Sequence, residues 1–548
     1  MKQSFLVALK TKLRPLKPAV QGTARLVQSR RLHILFLVHD YSYLRNFDDC
    51  IRSLVRKGHT LTLAFPQRKE GKPQAVLERF SAKGINVIMV PRARDDEWAT
   101  LAGFIRKARS YLLYRRSDFS GTQYLQERVA EATPEDVKAF LARPFIRSHP
   151  RLTDFACRLI EAAIPAPAVA RKDLSALKPD VVLITPFFTF STRYQVEYAK
   201  AAREFSVPVA VPVFSWDNLT SKGAFQIRPD RLFVWNQTQV REAATLHNIS
   251  ASRVVVTGGM RFSKFFGARP GTTKERFCEK VGLDPSNDLI TYLGSSRTIA
   301  PREHEFLWRW ISALRAAEDP RVRSCNIYVR PHPGNPAIWD NWPARSELGV
   351  SLWDGQGSNV EGVIESVGHS AAVFGINTTA MLEAAALDKP VLTVLDKDLV
   401  VGQTERIHFH YLTSVAGGLV TVAKDFSEHI NHLAAILAGD PLFARKSRRF
   451  SKAFLRPPFP YRSPIAAFES ATLRLGRRRP RTRLSRFLML LLRPAIARLA
   501  DTANKKAKQR RQKSSTPSDG VVSSGVIEAK MDMAERASTA GTLSSIAE

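Results

Sequence analysis

The sequence predicts an α/β protein of two domains, each a parallel sheet covered by helices. Three observations predict it. Short runs rich in Val, Ile and Leu recur along the chain, and longer stretches with helical spacing separate them, which is the pattern of strands buried between helices. The series of runs breaks at a polar, basic, glycine-containing stretch between Gly258 and Asp284 and then starts again. A length of 548 residues gives two or three domains enough chain for a core each.

The first series opens with HILFLV (33–38), TLTLAF (60–65) and INVIMV (85–90), and residues 48–57 between the first two read as a crossover helix. Residues from about 98 to 176 are rich in Arg, Ala and Leu at helical spacing and contain no convincing strand, so they read as a helical insertion. Strand signals resume at DVVLITP (180–186), VPVAVPVF (207–214), RLFVWN (231–236) and VVVTG (254–258). The second series is LITYLG (289–294), NIYVRP (326–331), AVFGIN (372–377), PVLTVL (390–395) and GLVTV (418–422). Residues 427–470 read as helices that pack back across both halves. The expected organisation is a tail (1–31), a first Rossmann-like domain (32–284), a second with closing helices (285–470), a basic amphipathic segment (471–513) and a disordered Ser/Gly-rich terminus (514–548).

The chain carries 83 Lys and Arg against 50 Asp and Glu, and the excess concentrates in its tails. Residues 1–31 hold 8 basic side chains and no acid, and residues 471–513 hold 15 against Asp501 alone. In GRRRPRTRLSRFLMLLLRPAIARLA, arginines alternate with the apolar run from Phe487 to Leu492, which suits an anionic membrane surface. Aliphatic rather than stacking aromatic residues accompany the charge, so a nucleic-acid partner is disfavoured. No stretch of about 18 uncharged apolar residues predicts a membrane span. Cys50, Cys157, Cys278 and Cys325 lie far apart without CxxC or Cys/His ligand spacing, which fits a reducing cytoplasm and excludes a zinc module or disulfide framework. SFLVAL near the start is too short for a signal-peptide core, so no export is expected.

Ligands of open parallel sheets bind beyond the carboxyl ends of strands, so polar residues just after a strand are the candidates. Asn377, Thr378 and Thr379 stand where a strand gives way to a helix, with Glu383 about one turn inside. Free N–H groups and hydroxyls there suit a phosphate, and the carboxylate suits ribose hydroxyls. In VRPHPGNP, Arg330 and His332 follow a strand of the same domain and are placed to meet a phosphate or leaving group, and Ser295 and Ser296 add donors after another. In the first domain, His39 and Asp40 follow the first strand. SWDNLTSKG offers Trp216 to stack on a sugar or base, Asp217 and Asn218 to bond hydroxyls, and Lys222 to meet a phosphate; Asp217 ranks with His39 as general base.

The series YLGSS, VRPHPGNP and FGINTTAMLEAAALDKPVLT resembles the carboxyl-terminal domain of GT-B glycosyltransferases. Within that fold it is similar to UDP-N-acetylglucosamine 2-epimerases and CDP-glycerol glycerophosphotransferases. The motifs cover residues 285–425, and residues 32–284 share the architecture. The resemblance implies a cleft between two Rossmann-like domains, with Thr378 and Thr379 on the diphosphate, His332 near it, Glu383 on the ribose and the acceptor on the first domain. The expected activity is transfer of a sugar or polyol phosphate from a nucleotide-activated donor to a cell-surface polysaccharide or lipid-linked acceptor, at the inner face of the plasma membrane. Helix N-termini with Arg and His donors can stabilise a departing diphosphate, so neither metal nor other cofactor is expected. The alternatives are a nucleotide-sugar 2-epimerase and a non-catalytic carbohydrate- or nucleic-acid-binding protein.

Overall fold

The structure is a computed structural model. It describes residues 30–514 apart from 68–83 (where 78 and 80 are described), 188–193, 298, parts of 334–347, 356–358, 397–402, 404–406 and 479–484. The amino-terminal tail up to 29 and the Ser/Gly-rich terminus after 514 lie outside the described residues.

The first sheet comprises β1 (His33–Val38), β2 (Thr60–Pro66), β3 (Asn86–Val90), β4 (Val181–Thr185), β5 (Val209–Pro212), β6 (Arg231–Val234) and β7 (Val254–Val256). All pairs are parallel, in the order 3-2-1-4-5-6-7. The second comprises β8 (Leu289–Leu293), β9 (Asn326–Arg330), β10 (Val350–Leu352), β11 (Ala372–Gly375), β12 (Val391–Val394) and β13 (Val420–Ala423), also parallel, in the order 10-9-8-11-12-13. β10 was not expected: a three-residue VSL strand is too short to make an apolar run.

The continuous apolar runs follow from burial on both faces. Leu35 and Leu37 of β1 join one core with Val182 and Ile184, while Ile34, Phe36 and Val38 point to the other face. There α1 (Asp48–Arg56), the crossover from β1 to β2, lays Cys50, Ile51 and Leu54 against them. From β3 to β4 the chain runs through the insertion: α2 (Ala99–Tyr114), α3 (Gln123–Ala132), α4 (Glu135–Leu141), α5 (Pro144–Ser148), α6 (Pro150–Ala163) and α7 (Ala168–Leu177). α8 (Tyr194–Glu204), α9 (Asn218–Ser221) and α10 (Gln237–Thr245) complete the first domain. The second adds α11 (Lys274–Lys280), α12 (Glu303–Arg315), α13 (Pro320–Ser324), α14 (Asn359–His369), α15 (Ala380–Ala386), α16 (Ile407–Ser414) and α17 (Phe426–Leu437).

A buried ion network ties the insertion to the first sheet's helices. Arg106 of α2 grips Glu161 of α6 through Nε at 2.9 Å and Nη2 at 2.8 Å, and reaches Glu197 of α8 at 2.6 Å. Lys200 adds a 2.6 Å contact to Glu161, and Arg94 a 3.0 Å contact to Glu197. The insertion also holds the loop after β5: Tyr114 Oη accepts from the Gly223 N–H at 2.9 Å, and Arg109 donates to the Gln226 carbonyl at 2.9 Å.

The chain passes between the domains twice. α18 (Pro441–Phe454) packs Phe450 and Phe454 with Met381 and Val391 of the second domain, in a cluster that also takes in Trp216, Trp235 and Phe262 of the first. α19 (Pro464–Gly476) then returns to the first sheet, burying Phe468, Ala471 and Leu475 beside Phe36, Phe47 and Phe233. The two passages touch: the Gly259 N–H donates to the Leu455 carbonyl at 2.8 Å. Gly258, at φ +76°, lies so close that a Cβ would come 2.8 Å from that same oxygen.

Within the basic amphipathic segment, residues 471–476 finish α19, and α20 (Ser485–Ser514) docks on the insertion. Ile496 and Ala500 of α20 are buried against Trp98, Leu101, Ile105 and Cys157, so part of its apolar surface serves protein packing. No helix among the described residues is long and apolar enough to cross a membrane. The four cysteines are free and buried.

Candidate active site

In each sheet the strand order reverses once, between β1 and β4 in the first and between β8 and β11 in the second. The carboxyl ends at such reversals leave a crevice where open α/β sheets take ligands.

In the second domain, the turn after β8 must run against β9. Gly294 donates to the Arg330 carbonyl at 2.8 Å, and a Cβ there would lie 2.7 Å from the His332 nitrogen, so only glycine fits. The next residue, Ser295, is fully buried. Its N–H donates to Oε1 of Glu303 at 2.7 Å, and its Oγ accepts from the Asn377 N–H at 3.3 Å, which joins the β8 turn to the turn after β11. Ser296 closes the β8 turn, its carbonyl accepting from Ile299 and Ala300. Asn377 is 5% exposed, and among the described residues neither Oδ1 nor Nδ2 of its carboxamide meets a partner. Thr378 is buried beside it, and Thr379 precedes α15 without a side-chain capping bond. The guanidinium of Arg330 lies over the Trp353 ring at 4.5 Å.

The first domain contributes two arginines that sequence reasoning missed. Arg261 follows β7 and forms an ion pair with Glu383 across the domain boundary. Arg45 sits in the turn after β1. It is exposed at the surface, and desolvation and then Arg261 push its guanidinium down to about 10 against the pull of Glu383. Burial and then Arg45 push the His332 imidazole down to about 4, so His332 is neutral at pH 7. Burial lowers Arg330 too, opposed by Tyr328 and Glu383. Arg261 thus pairs with Glu383, Arg45 and Arg330 feel the same carboxylate, and His332 feels Arg45, so charges of both domains act on one another here. The signal for Arg45 was its place six residues after His39 on the same strand-end loop; Arg261 lay in the basic stretch 258–284 with nothing to single it out.

His39 continues β1, and its N–H donates to the Thr185 carbonyl of β4 at 3.1 Å, on the reversal itself. Its half-buried ring faces Tyr43 at 6.3 Å, which stacks on Phe214 at 4.4 Å. The Asp40 carbonyl accepts from the Tyr43 N–H and starts that turn.

The loop SWDNLTSKG is built differently from expectation. Trp216 is 4% exposed and meets His408 of α16 edge-on at 4.6 Å, so its ring packs the domain boundary and offers no open stacking face. Asn218 is fully buried: its Oδ1 accepts from the Phe214 and Ser215 N–H groups at 3.1 Å each and fastens the loop, while its Nδ2 meets no partner among the described residues. Asp217 accepts from Ser215 Oγ at 2.5 Å and Ser221 Oγ at 2.7 Å. Burial raises its carboxyl, but Lys222, His408 and the two hydroxyls outweigh that and hold it at about 2. A carboxylate that acidic is a weak proton acceptor at pH 7, and Lys222 faces it within the same loop.

The architecture is two Rossmann-like domains, each a doubly wound parallel sheet, which is consistent with a two-domain GT-B fold. No protein-family model and no curated protein matches the chain. Among solved structures it is similar to a glycosyltransferase from Rickettsia africae ESF-5, with 11% identity and a TM-score of 0.42 over 86% of this chain and 98% of that one. It is also similar to the UDP-GlcNAc 2-epimerase from Neisseria meningitidis bound to UDP-GlcNAc, with 13% identity and a TM-score of 0.45 over 81% and 100%. A third is WaaG, a glycosyltransferase involved in lipopolysaccharide biosynthesis, with 12% identity and a TM-score of 0.41 over 80% and 98%.

Two further carboxyls of this GT-B chain are buried near the cleft. Burial pushes Glu303 up to about 8 against the pull of Ser295 and Tyr292, and Glu242, bonded by Tyr411 of α16, also up to about 8. Both exceed the ordinary value of 4.5, so the folded chain holds two protons that the unfolded chain releases. Their contribution is present below pH 4.5 and lost as pH rises through 8. His247 and His332, at about 4, and His429, at about 3, lie below the ordinary 6.5. Stability therefore also falls as pH drops from 6.5 toward 4. Thermal unfolding across pH should show a maximum near about 6.5. Glu242→Gln should raise stability at pH 8.5 by about 1–3 kcal/mol, and by much less at pH 5; an equal gain at both would refute the assignment.

Proposed function

We propose that the cleft seats a nucleotide-activated donor and that the chain transfers its sugar or polyol phosphate to an acceptor hydroxyl on the first domain. The observation that carries this reading is the convergence of Arg45 and Arg261 with Arg330, His332 and Glu383. With Glu383 and, beside Arg330, Asp354 as its carboxylates, the cluster keeps a net positive charge, which suits a diphosphate held between the domains. In this reading the diphosphate takes over the arginines, and Glu383, released from Arg261, accepts from the ribose hydroxyls. The buried carboxamide of Asn377 supplies a donor and an acceptor for the same ligand.

The acceptor oxygen attacks the activated centre of the donor as the bond to the nucleotide's phosphate oxygen breaks. The acceptor's proton passes to a ring nitrogen of His39, and the departing phosphate keeps the electron pair beside Arg45, Arg330 and His332. Fixed cations stabilise that charge without calling on a metal. The acceptor is a growing polysaccharide or a lipid-linked saccharide, met at the inner face of the plasma membrane.

Calorimetry with UDP, CDP, GDP and ADP tests the seat. Arg45→Ala should weaken the bound nucleotide by about 10- to 100-fold, the loss of a charge-assisted contact, with little change in melting temperature. Absence of binding to every nucleotide would sink the reading. A 2-epimerase would exchange solvent deuterium into the donor sugar with no acceptor present, whereas transfer predicts none.

A further inference from the structure

The helical insertion has no part in the chemistry above, and its outer surface is unusual. α6 carries two apolar stripes. The inner one, with Cys157 and Ile160, packs the insertion's core with α20. The outer one places Leu152 and Phe155 in solvent, the latter 57% exposed, and the turn before it holds Phe145 at 63%. Arg143, Arg147 and Arg151, all exposed, lie among these residues. The acid of this stretch, Asp154, is engaged by Arg109 at 3.0 Å and Arg158 at 2.5 Å.

α20 lies against α2 and α6 and repeats the pattern. Arg493 donates to the Ala163 carbonyl at 3.3 Å and Asn504 to the Glu97 carbonyl at 2.8 Å, which fixes the helix in place. Its outer side still exposes Leu490, Leu491 and Leu499, with Arg498, Lys505, Lys506 and Lys508.

We infer that α5, α6 and the outer side of α20 form one platform that lies on an anionic lipid bilayer. Exposed Phe and Leu side chains interleaved with Arg and Lys suit the boundary between acyl chains and phosphate headgroups: the apolar groups enter it and the cations meet the phosphates. The charge would also draw RNA, and the measurements below tell the two apart. The inference stands apart from the chemistry of the cleft, since it assigns a surface to a part of the chain that the donor seat does not use.

The purified full chain should co-sediment with vesicles of phosphatidylglycerol and phosphatidylcholine at least about tenfold better than with phosphatidylcholine alone, and less well at high salt. Phe145→Asp with Phe155→Asp, and separately Leu491→Asp with Leu499→Asp, should each lower that partition by about tenfold or more. These side chains are in solvent, so circular dichroism should be unchanged. If either pair disturbs the fold, Arg143→Gln with Arg147→Gln and Arg151→Gln gives the same readout by removing charge. UDP affinity of the vesicle variants, measured in parallel, separates failure of this inference from failure of the donor seat. Wild-type partition that ignores anionic lipid, or variants that partition like wild type, would overturn it. So would single-stranded RNA binding that persists in both Asp pairs while vesicle binding is absent.

Discussion

His39→Ala should lower turnover with a nucleotide-activated donor by about 10²- to 10⁴-fold while leaving donor affinity within about twofold. The ring stands on the reversal between β1 and β4, with its backbone pinned to Thr185 and its side chain half-buried beside Tyr43. In the proposed reading, an acceptor on the first domain meets this ring. Asp217 is the weaker base of the two: Lys222, His408, Ser215 and Ser221 hold its carboxyl at about 2 against the effect of burial. Asp217→Asn should therefore disturb the loop more than the rate-limiting proton transfer. The decisive comparison is the pH profile of kcat/KM. The limb that reports the base should vanish in His39→Ala and survive in Asp217→Asn; the reverse result would move the base to Asp217.

Glu161→Ala should cost about 3–5 kcal/mol in denaturant unfolding, because it strands Arg106 and Lys200 as buried charges without their shared partner. Burial raises the Glu161 carboxyl, but Arg106 and Lys200 overcome it and hold the group at about 2, below its ordinary 4.5. The contribution is therefore present above pH 4.5 and lost as pH falls through 2. Replacing Arg106, Lys200 and Glu161 together by apolar residues of similar volume should recover most of the loss. A small effect of the single change would show that water reaches this network.

Sequence periodicity placed twelve of the strands because central parallel strands are apolar on both faces and so announce themselves as runs, as HILFLV and LITYL do. It missed Val350–Leu352, an edge strand with too few residues to register. The turn Asn377–Thr379, with Arg330, His332 and Glu383, was legible because each residue follows a strand of one domain. Arg45 and Arg261 were not, since their meaning arises only when the other domain's Glu383 arrives beside them, and no local pattern encodes that encounter. Trp216 and Asn218 misled for the converse reason. A polar loop with an aromatic reads as a binding surface until packing consumes it: Trp216 is taken by His408, and Asn218 by its own backbone.

The two passages between the domains are bonded to one another where Gly259 meets Leu455, and Gly258 admits no side chain there. A single connector would let one lobe swivel freely on the other. Paired connectors fixed side by side behave instead as a door on one pin, so that opening and closing follow a single arc. Arg45 and Arg261 both belong to the first lobe, on turns that touch, so such an arc would move the two as one body relative to Glu383 of the second.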